Sequence, residues 1–347
     1  MAPPPATNPL AWPRIVFGTT PLGNIYRVVE AGVKHELVAN WFRHGSTPVF
    51  IDSAGKYGAG LALQNLAENL SSLGISPADV VISNKLGWRR APLRTPEPTF
   101  EPGAWFGLEH DAVQNISYDG ILECHAEGNA LLAPYGTQLL SVHDPDEYLA
   151  AATSETDRER RYRDILDAYR ALFDLKAAGG AGTRPNCVGV GAKDWKVIRQ
   201  LWNDGVALDW VMFANSYTIL RHPAALRAFM DELHRAGVAI VNSAIFHGGF
   251  LTGGDFFDYR KVTRVSDPAL FNWRDRFYTL CARHRLSPAA AAAQFGLSHP
   301  GVVALALSTS QPERVGSLIE LTEGSMSEEF REALTREGLA DFEGEER

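Results

Sequence analysis

Cysteine is scarce in this chain. Three residues, Cys124, Cys187 and Cys281, lie far apart. They make neither a disulfide framework nor a Cys-x-x-Cys metal knuckle. Excess basic charge is also missing. Lys and Arg number 33 against 41 Asp and Glu, a net charge of −8, and no basic cluster stands out. This balance speaks against nucleic acid as the main partner. There is no apolar run of about 18 residues, the length a membrane span needs. The proline-rich start, Met1 to Arg14, lacks the basic opening and apolar stretch of a signal peptide. These features lead us to expect a cytoplasmic protein with no membrane partner. No His-x-His occurs and the ten histidines are scattered. A metal-dependent barrel hydrolase would need such ligands, so no metal is expected.

What is present is a soluble composition. Of the 347 residues, 45% are hydrophobic and 21% charged, enough to bury a sizeable core. Short apolar runs recur at Ile15–Phe17, Val49–Asp52, Val80–Ser83, Gln138–His143, Cys187–Val190, Trp210–Ala214, Val238–Asn242 and Val302–Ala306. They read as buried parallel strands. Amphipathic stretches alternate with them: Glu36–Arg43, Leu61–Leu70, Arg158–Ala177, Trp195–Asn203, Ala224–Arg235 and Arg314–Glu320. Ser287-Pro288 before an alanine run reads as an N-cap with proline in the first turn.

Eight strands alternating with helices predict a (β/α)8 barrel spanning residues 1–347 as one domain, with 1–13 as a flexible tail. The competing fold, an open doubly wound sheet, wants G-x-G-x-x-G after an early strand. The segment Phe17-Gly18-Thr19-Thr20-Pro21-Leu22-Gly23 does not match it. The proline-rich stretch Leu86–Gly107 reads as a long irregular loop over the barrel mouth.

In a barrel the C-terminal strand ends carry the site. The second strand ends in Asp52, followed by Tyr57-Gly58. The third ends in Lys85, and the fourth in His143. Each has an ordinary alternative: a turn aspartate, a packed aromatic, a solvated lysine, a core histidine. Together they suit proton transfer at a carbonyl oxygen. An ammonium favours the phenolate of a tyrosine whose ordinary pKa is near 10. A carboxylate holds the ammonium, and a neutral imidazole orients the oxygen.

These residues carry a resemblance. Phe50 to Gly58, with an aspartate five residues before a Tyr-Gly pair, resembles the aldo-keto reductase motif. Val81-Ile82-Ser83-Asn84-Lys85 and Leu139-Leu140-Ser141-Val142-His143-Asp144 are similar to that family's third and fourth strands. The resemblance covers about residues 14 to 325. It implies a (β/α)8 barrel using NAD or NADP. It also implies roles: Tyr57 as acid/base, Lys85 as its activator, Asp52 as counter-ion and His143 as substrate orienter. Three segments, Phe17–Tyr26, Val188–Gly191 and Ile240–Gly253, further resemble the sugar-oxidising branch. That branch includes L-fucose, D-threo-aldose and L-galactose 1-dehydrogenases and pyridoxal 4-dehydrogenase. There a free aldose is oxidised at C1 to the lactone, with Tyr57 as base. The same tetrad run in reverse would make an aldehyde or ketone reductase. A dinucleotide-binding barrel without catalysis is a third possibility.

The resemblance also assigns contacts. Cofactor residues would be Gly18, Thr19, Asp52, Asn215, Ser216, Ser243, Phe246, Gly249 and Leu251, with Ser308, Thr309, Ser310 and Arg314 at the phosphate end. Small hydroxyl residues before a helix N-terminus make an anion site on physical grounds too. The family's nicotinamide contacts are replaced by Gly191, Ala192, Ser216 and Asn242, and Phe246 is the candidate for the missing stacking surface. At the 2′-phosphate site Arg314 stands in the arginine position but Ser308 replaces the lysine, which allows NAD, NADP or both. Substrate-wall candidates are Tyr26, Trp88, His143 and His247. Loop packing is the alternative for Tyr26 and Trp88, and loop capping for His247.

Overall fold

The computed structural model describes residues 10–178, 187–258 and 260–342. Eight parallel strands close into a barrel: β1 Ile15–Gly18, β2 Val49–Ala54, β3 Val80–Leu86, β4 Leu139–His143, β5 Cys187–Ala192, β6 Trp210–Ala214, β7 Ala239–Ser243 and β8 Val302–Leu307. Each pairs with its neighbours in chain order, and β8 closes on β1 through Ile15 opposite Leu305. Helices cover the outside, so the strands are apolar on both faces.

Alternate residues point into the barrel. Val16, Phe50, Val81, Leu139, Cys187, Trp210, Ala239 and Ala304 pack together as its lower interior. Two glycines on β5 make this packing possible. A Cβ on Gly189 would lie 2.4 Å from the Trp210 ring, and one on Gly191 3.0 Å from the Lys85 side chain. Trp12 plugs the bottom, with its ring 5.3 Å from Phe50 and 6.2 Å from Trp210. The expected tail is therefore tied to the core at Trp12, while its first nine residues lie outside the described ones.

The strand expectations match in position, the bounds of each observed strand lying within three residues of the run that named it. Trp195–Asn203 and Ala224–Arg235 are helices with those bounds. Ser287 caps the helix Pro288–Gly296 by accepting the Ala290 N–H. The first helix starts at Ala31, five residues before the expected Glu36, without any side-chain cap to signal it. The last expected helix instead begins as a 3-10 turn, Pro312–Arg314, before Val315–Glu323.

The stretch Leu86–Gly107 differs most from expectation. Trp88–Pro92 is a strand that pairs antiparallel with His110–Gln114. Its partner lies beyond the proline cluster, so no local turn signal joins the two. After this hairpin the helix Tyr118–Leu132 returns to the barrel, capped by Ser117. Pro268–Arg283 and Glu328–Arg336 are further helices the sequence reading did not assign. Among the described residues no helix is long and apolar enough to cross a membrane.

Replacing Gly189 by alanine tests the interior packing. The added methyl meets the rigid Trp210 indole, and we expect a loss of about 1–3 kcal/mol in urea unfolding, the usual cost of overpacking. An unchanged midpoint would show that the indole moves aside freely.

Candidate active site

Parallel register brings the strand-end residues together. Ala54 of β2 lies beside Lys85 of β3, Lys85 beside Ser141 of β4, and His143 beside Gly191 of β5. Lys85 and Asp52 both point inward and are buried. Lys85 Nζ donates to Asp52 Oδ2 at 2.5 Å and to the Ser53 carbonyl at 3.4 Å. Ser83 Oγ donates to the other carboxylate oxygen at 3.2 Å. The pair is thus hydrogen-bonded on both sides, as a buried ion pair requires.

Tyr57 leaves β2 through a tight turn in which its N–H reaches the Ala54 carbonyl at 3.1 Å. Lys85 Nζ lies 4.6 Å from the centre of its ring. The His143 ring stands edge-on to it at 5.5 Å, and the Trp105 ring lies 5.8 Å away at 30°. Burial, helped by the Lys85 and Lys56 ammonium groups, holds the His143 pKa well below the usual histidine value. The imidazole is therefore neutral near pH 7. All four residues of the expected tetrad meet at one cavity.

A second charged group sits beside them. Lys56 is buried, and its Nζ lies 2.7 Å from Glu101, 3.0 Å from Asp144 and 2.8 Å from Glu147. Lys193 joins Glu147 at 2.5 Å. Burial acts to lower the Lys56 pKa, but Asp144, Glu101 and Glu147 together raise it. Sequence reasoning missed this cluster. Lys56 is the residue before Tyr57, yet its partners come from the excursion after β3 and the segment after β4.

The cavity has a volume of about 430 Å³. It runs from the tetrad along Gly18, Tyr26, Asn215, Ser243, Phe246 and Gly249 to Ser308, Thr309 and Ser310. Tyr26 stacks on Phe256 at 4.7 Å. At the hydroxyl-rich end the cation that lines the cavity is Arg27, whose guanidinium donates to Ser310 Oγ at 3.0 Å. It comes from the loop after β1, where no motif marked it.

Several expected contacts lie elsewhere. Arg314 is exposed on the 3-10 turn after β8 and does not line the cavity. Thr19 is fully buried and spends its hydroxyl on the Asp52 carbonyl at 3.0 Å and Ser53 Oγ at 2.8 Å. Ser216 turns away to the Lys193 carbonyl at 2.6 Å, since Asn215 before it takes a left-handed conformation. Leu251 is buried in a short turn behind the cavity wall. Asn242 faces the helices, donating to the Tyr217 carbonyl at 2.8 Å and the Gly296 carbonyl at 3.1 Å. Trp88 packs on Phe100 beneath Lys56, and Trp105 forms the aromatic wall instead. His247 is fully buried between Thr218 and Asp258, at 2.8 Å from each, and stacks on Phe257. Both of its ring nitrogens are engaged, which leaves none for a substrate.

The cavity suits a dinucleotide on structural grounds. Asn215 Oδ1 is buried without a hydrogen-bond partner where it lines the middle of the cavity. An unpaired buried acceptor is costly, and a ligand amide N–H would satisfy it. Phe246 offers a ring to a flat heterocycle. Ser308, Thr309, Ser310 and Arg27 offer donors to phosphate.

Comparison with known proteins agrees with this architecture. The model described as "Aldo/keto reductase family" matches residues 14–336. The chain is 29% identical over 340 residues to a pyridoxal 4-dehydrogenase from Microbacterium luteolum, covering 93% of each. It is 25% identical over 318 residues to a D-threo-aldose 1-dehydrogenase from a Pseudomonas species, covering 88% of each. Among solved structures it resembles the holo form of the aldo-keto reductase AKR11C1 from Bacillus halodurans, with a TM-score of 0.68 at 17% identity. That match covers 100% of this chain and 98% of the other.

The electrostatics predict a silent titration. The His143 ring signal, assigned by its loss in His143→Gln, should not move between about pH 6 and pH 8 in an NMR titration. Burial and the neighbouring ammonium groups oppose its protonation. A midpoint near 6.5 would contradict this electrostatic picture.

Proposed function

The chain belongs to the aldo/keto reductase family, and from that premise we propose that it is an NAD(P)+-dependent dehydrogenase that oxidises a cyclic hemiacetal to a lactone. The class covers free aldoses at C1. It also covers pyridoxal, whose aldehyde closes on its neighbouring hydroxymethyl group. The substrates named for the two similar dehydrogenases thus share one reacting group. The observation that carries the reading is the position of Tyr57. Its ring sits against Lys85 and His143 at one end of a cavity whose other end offers hydroxyls and Arg27.

In this reading the anomeric hydroxyl is bound between Tyr57 and His143. The neutral imidazole fixes the substrate oxygen by hydrogen bonding. Tyr57 accepts the hydroxyl proton as the C1–H bond breaks. Lys85 stabilises the negative charge on the phenol oxygen, and Asp52 holds Lys85 in place. A bound oxidised nicotinamide supplies the hydride acceptor. Asn215, Phe246 and the Ser308–Ser310 segment with Arg27 would hold the dinucleotide. Trp105 and Tyr26 line the cavity as aromatic surfaces for the face of a sugar or pyridine ring.

The direct test follows the absorbance of reduced nicotinamide. Purified protein is mixed with L-fucose, D-arabinose, L-galactose or pyridoxal, each with NAD+ and with NADP+. Reduction of the dinucleotide by a hemiacetal is the expected result. Silence with all four, together with NADPH oxidation by simple aldehydes, would move the function to carbonyl reduction by the same residues. Tyr57→Phe should lower turnover by roughly two to four orders of magnitude, the weight of a positioned acid/base. Its dinucleotide affinity should stay within about twofold of wild type, because the phenol oxygen and not the ring is removed.

The phosphate end has its own test. Arg27→Ala should weaken dinucleotide binding about tenfold, the loss of one charge-assisted hydrogen bond. Arg314→Ala should leave NAD+ affinity within about twofold, because its side chain is outside the cavity. The reverse ranking in a fluorescence titration would return the phosphate role to Arg314.

A further inference from the structure

We infer that Glu101 is a positioning residue for Tyr57, acting through Trp105 and Lys56. This rests on the reading of Tyr57 as the acid/base group and not on the choice of substrate. Glu101 belongs to no barrel strand. It lies in the excursion after β3, held in a left-handed conformation with φ 44°, and its carbonyl accepts the Ala104 N–H at 3.0 Å. A non-glycine residue pays to adopt that conformation, so the surrounding contacts must hold it.

The carboxylate takes a close donor on each oxygen, with Lys193 Nζ farther off at 3.7 Å from Oε1. Lys56 Nζ lies 2.7 Å from Oε1. Trp105 Nε1 donates to Oε2 at 2.7 Å. Lys56 is the residue before Tyr57, and Trp105 is the ring laid beside Tyr57. Glu101 therefore ties the excursion to the segment carrying Tyr57 and sets the angle of the indole against the phenol ring. Lys85 and His143, which also stand beside that ring, are on barrel strands, whereas Trp105 depends on a loop contact for its place. The loop after β1 supports it from behind, with Ile25 bridging Trp105 and the Tyr26 N–H donating to the Ala104 carbonyl at 2.7 Å.

The residue type matters as well as the position. An amide at 101 accepts through one oxygen only. Its NH2 would face either the Lys56 ammonium or the indole N–H, both donors. Glu101→Gln is thus not a conservative change here. Lys56 keeps Asp144 and Glu147 when Glu101 is lost. With the amide oxygen on the Lys56 ammonium the Trp105 N–H loses its acceptor, and with the amide reversed its NH2 is turned on that ammonium, so in either setting the tie between Trp105 and the segment carrying Tyr57 is broken. Misplacing an acid/base group lowers the chemical step more than it weakens ground-state binding.

The test is a double-mutant cycle on the full chain: wild type, Glu101→Gln, Trp105→Phe and the double variant. Each is read for kcat and KM on the best substrate of the panel above, NADPH affinity by fluorescence, and melting temperature. Glu101→Gln should lower kcat about tenfold with NADPH affinity within about twofold of wild type. The double variant should be no worse than Trp105→Phe alone, because the donor that needs Glu101 is then gone. A purely structural role would move the melting temperature and leave kcat in place. Two results overturn the inference: kcat within about twofold of wild type for Glu101→Gln, or effects that simply multiply in the double variant. If Glu101→Gln does not fold, Trp105→Phe with wild-type kcat overturns it as well. Tyr57→Phe is run alongside. Its retention of activity would sink the acid/base reading, whereas an inactive Tyr57→Phe with an unaffected Glu101→Gln would sink only the role of Glu101. A wild type silent on every substrate removes both.

Discussion

The buried ion pair between Lys85 and Asp52 is the constraint on which the upper barrel depends. Two charges taken out of water cost several kcal/mol each unless geometry and further hydrogen bonds offset the loss. The barrel supplies both. Parallel register sets Asp52 beside Ser83 and Ala54 beside Lys85, so lysine and carboxylate face each other in the interior. Ser83 and the Ser53 carbonyl take up the remaining polar capacity. The lysine stem can cross the barrel because β5 carries a glycine at 191. An alanine there would press its methyl on the stem. A strand with two glycines at inward positions, weak by propensity, is thereby explained by what its neighbours need.

The ion pair in turn sets the chemistry of what stands above it. A cation next to an aromatic face attracts the ring, and Lys85 lies against Tyr57. The same positive charge opposes protonation of His143. One residue thus packs on the phenol ring and helps keep the imidazole neutral. The Lys56 cluster adds positive potential at His143 while carrying its own carboxylates. Charge is dense at the mouth, yet Lys56, Lys85 and Lys193 each lie against a carboxylate.

The barrel and the tetrad were legible in the sequence because both follow from short local patterns. Strands announced themselves by apolar runs, and Asp52, Lys85 and His143 stood at their ends. Of the other expected contacts, Tyr26, Asn215, Phe246 and the Ser308–Ser310 segment line the cavity, whereas others lie outside it, for a physical reason in each case. Trp88 follows Lys85 closely, but it is drawn into a hairpin whose second strand starts at His110, so Trp105 takes the wall. Arg314 fits a helix-start pattern, yet its side chain points outward, and Arg27 arrives from the opposite side of the barrel seam. His247 sits in a glycine-rich loop, a promising place for a ligand contact. Its two nitrogens instead tie Thr218 to Asp258. Each miss concerns a side chain whose direction is set by a partner far away in the chain.

Backbone conformation gives the same division in another form. Among the described non-glycine residues with positive φ, all but Arg285 lie in loops at the C-terminal ends of the strands: Asn24, Tyr26, Ala59, Glu101, Asp144, Asn215, Ala244, His247 and Asp258. A left-handed conformation costs a non-glycine residue about 1–2 kcal/mol. It persists only where surrounding contacts over-determine it. Those contacts are present. Glu101 is held by Lys56 and Trp105, His247 by Thr218 and Asp258, and Arg274 donates to the carbonyls of Phe250 and Gly254 beneath the same loop. The barrel stores little such strain, since its strands satisfy one another. The mouth bears it, and the bonds that hold it there are the ones that aim Tyr26, Asn215 and Trp105 into a single cavity. Loosening any one of them would relax the backbone locally and turn its side chain away from the site.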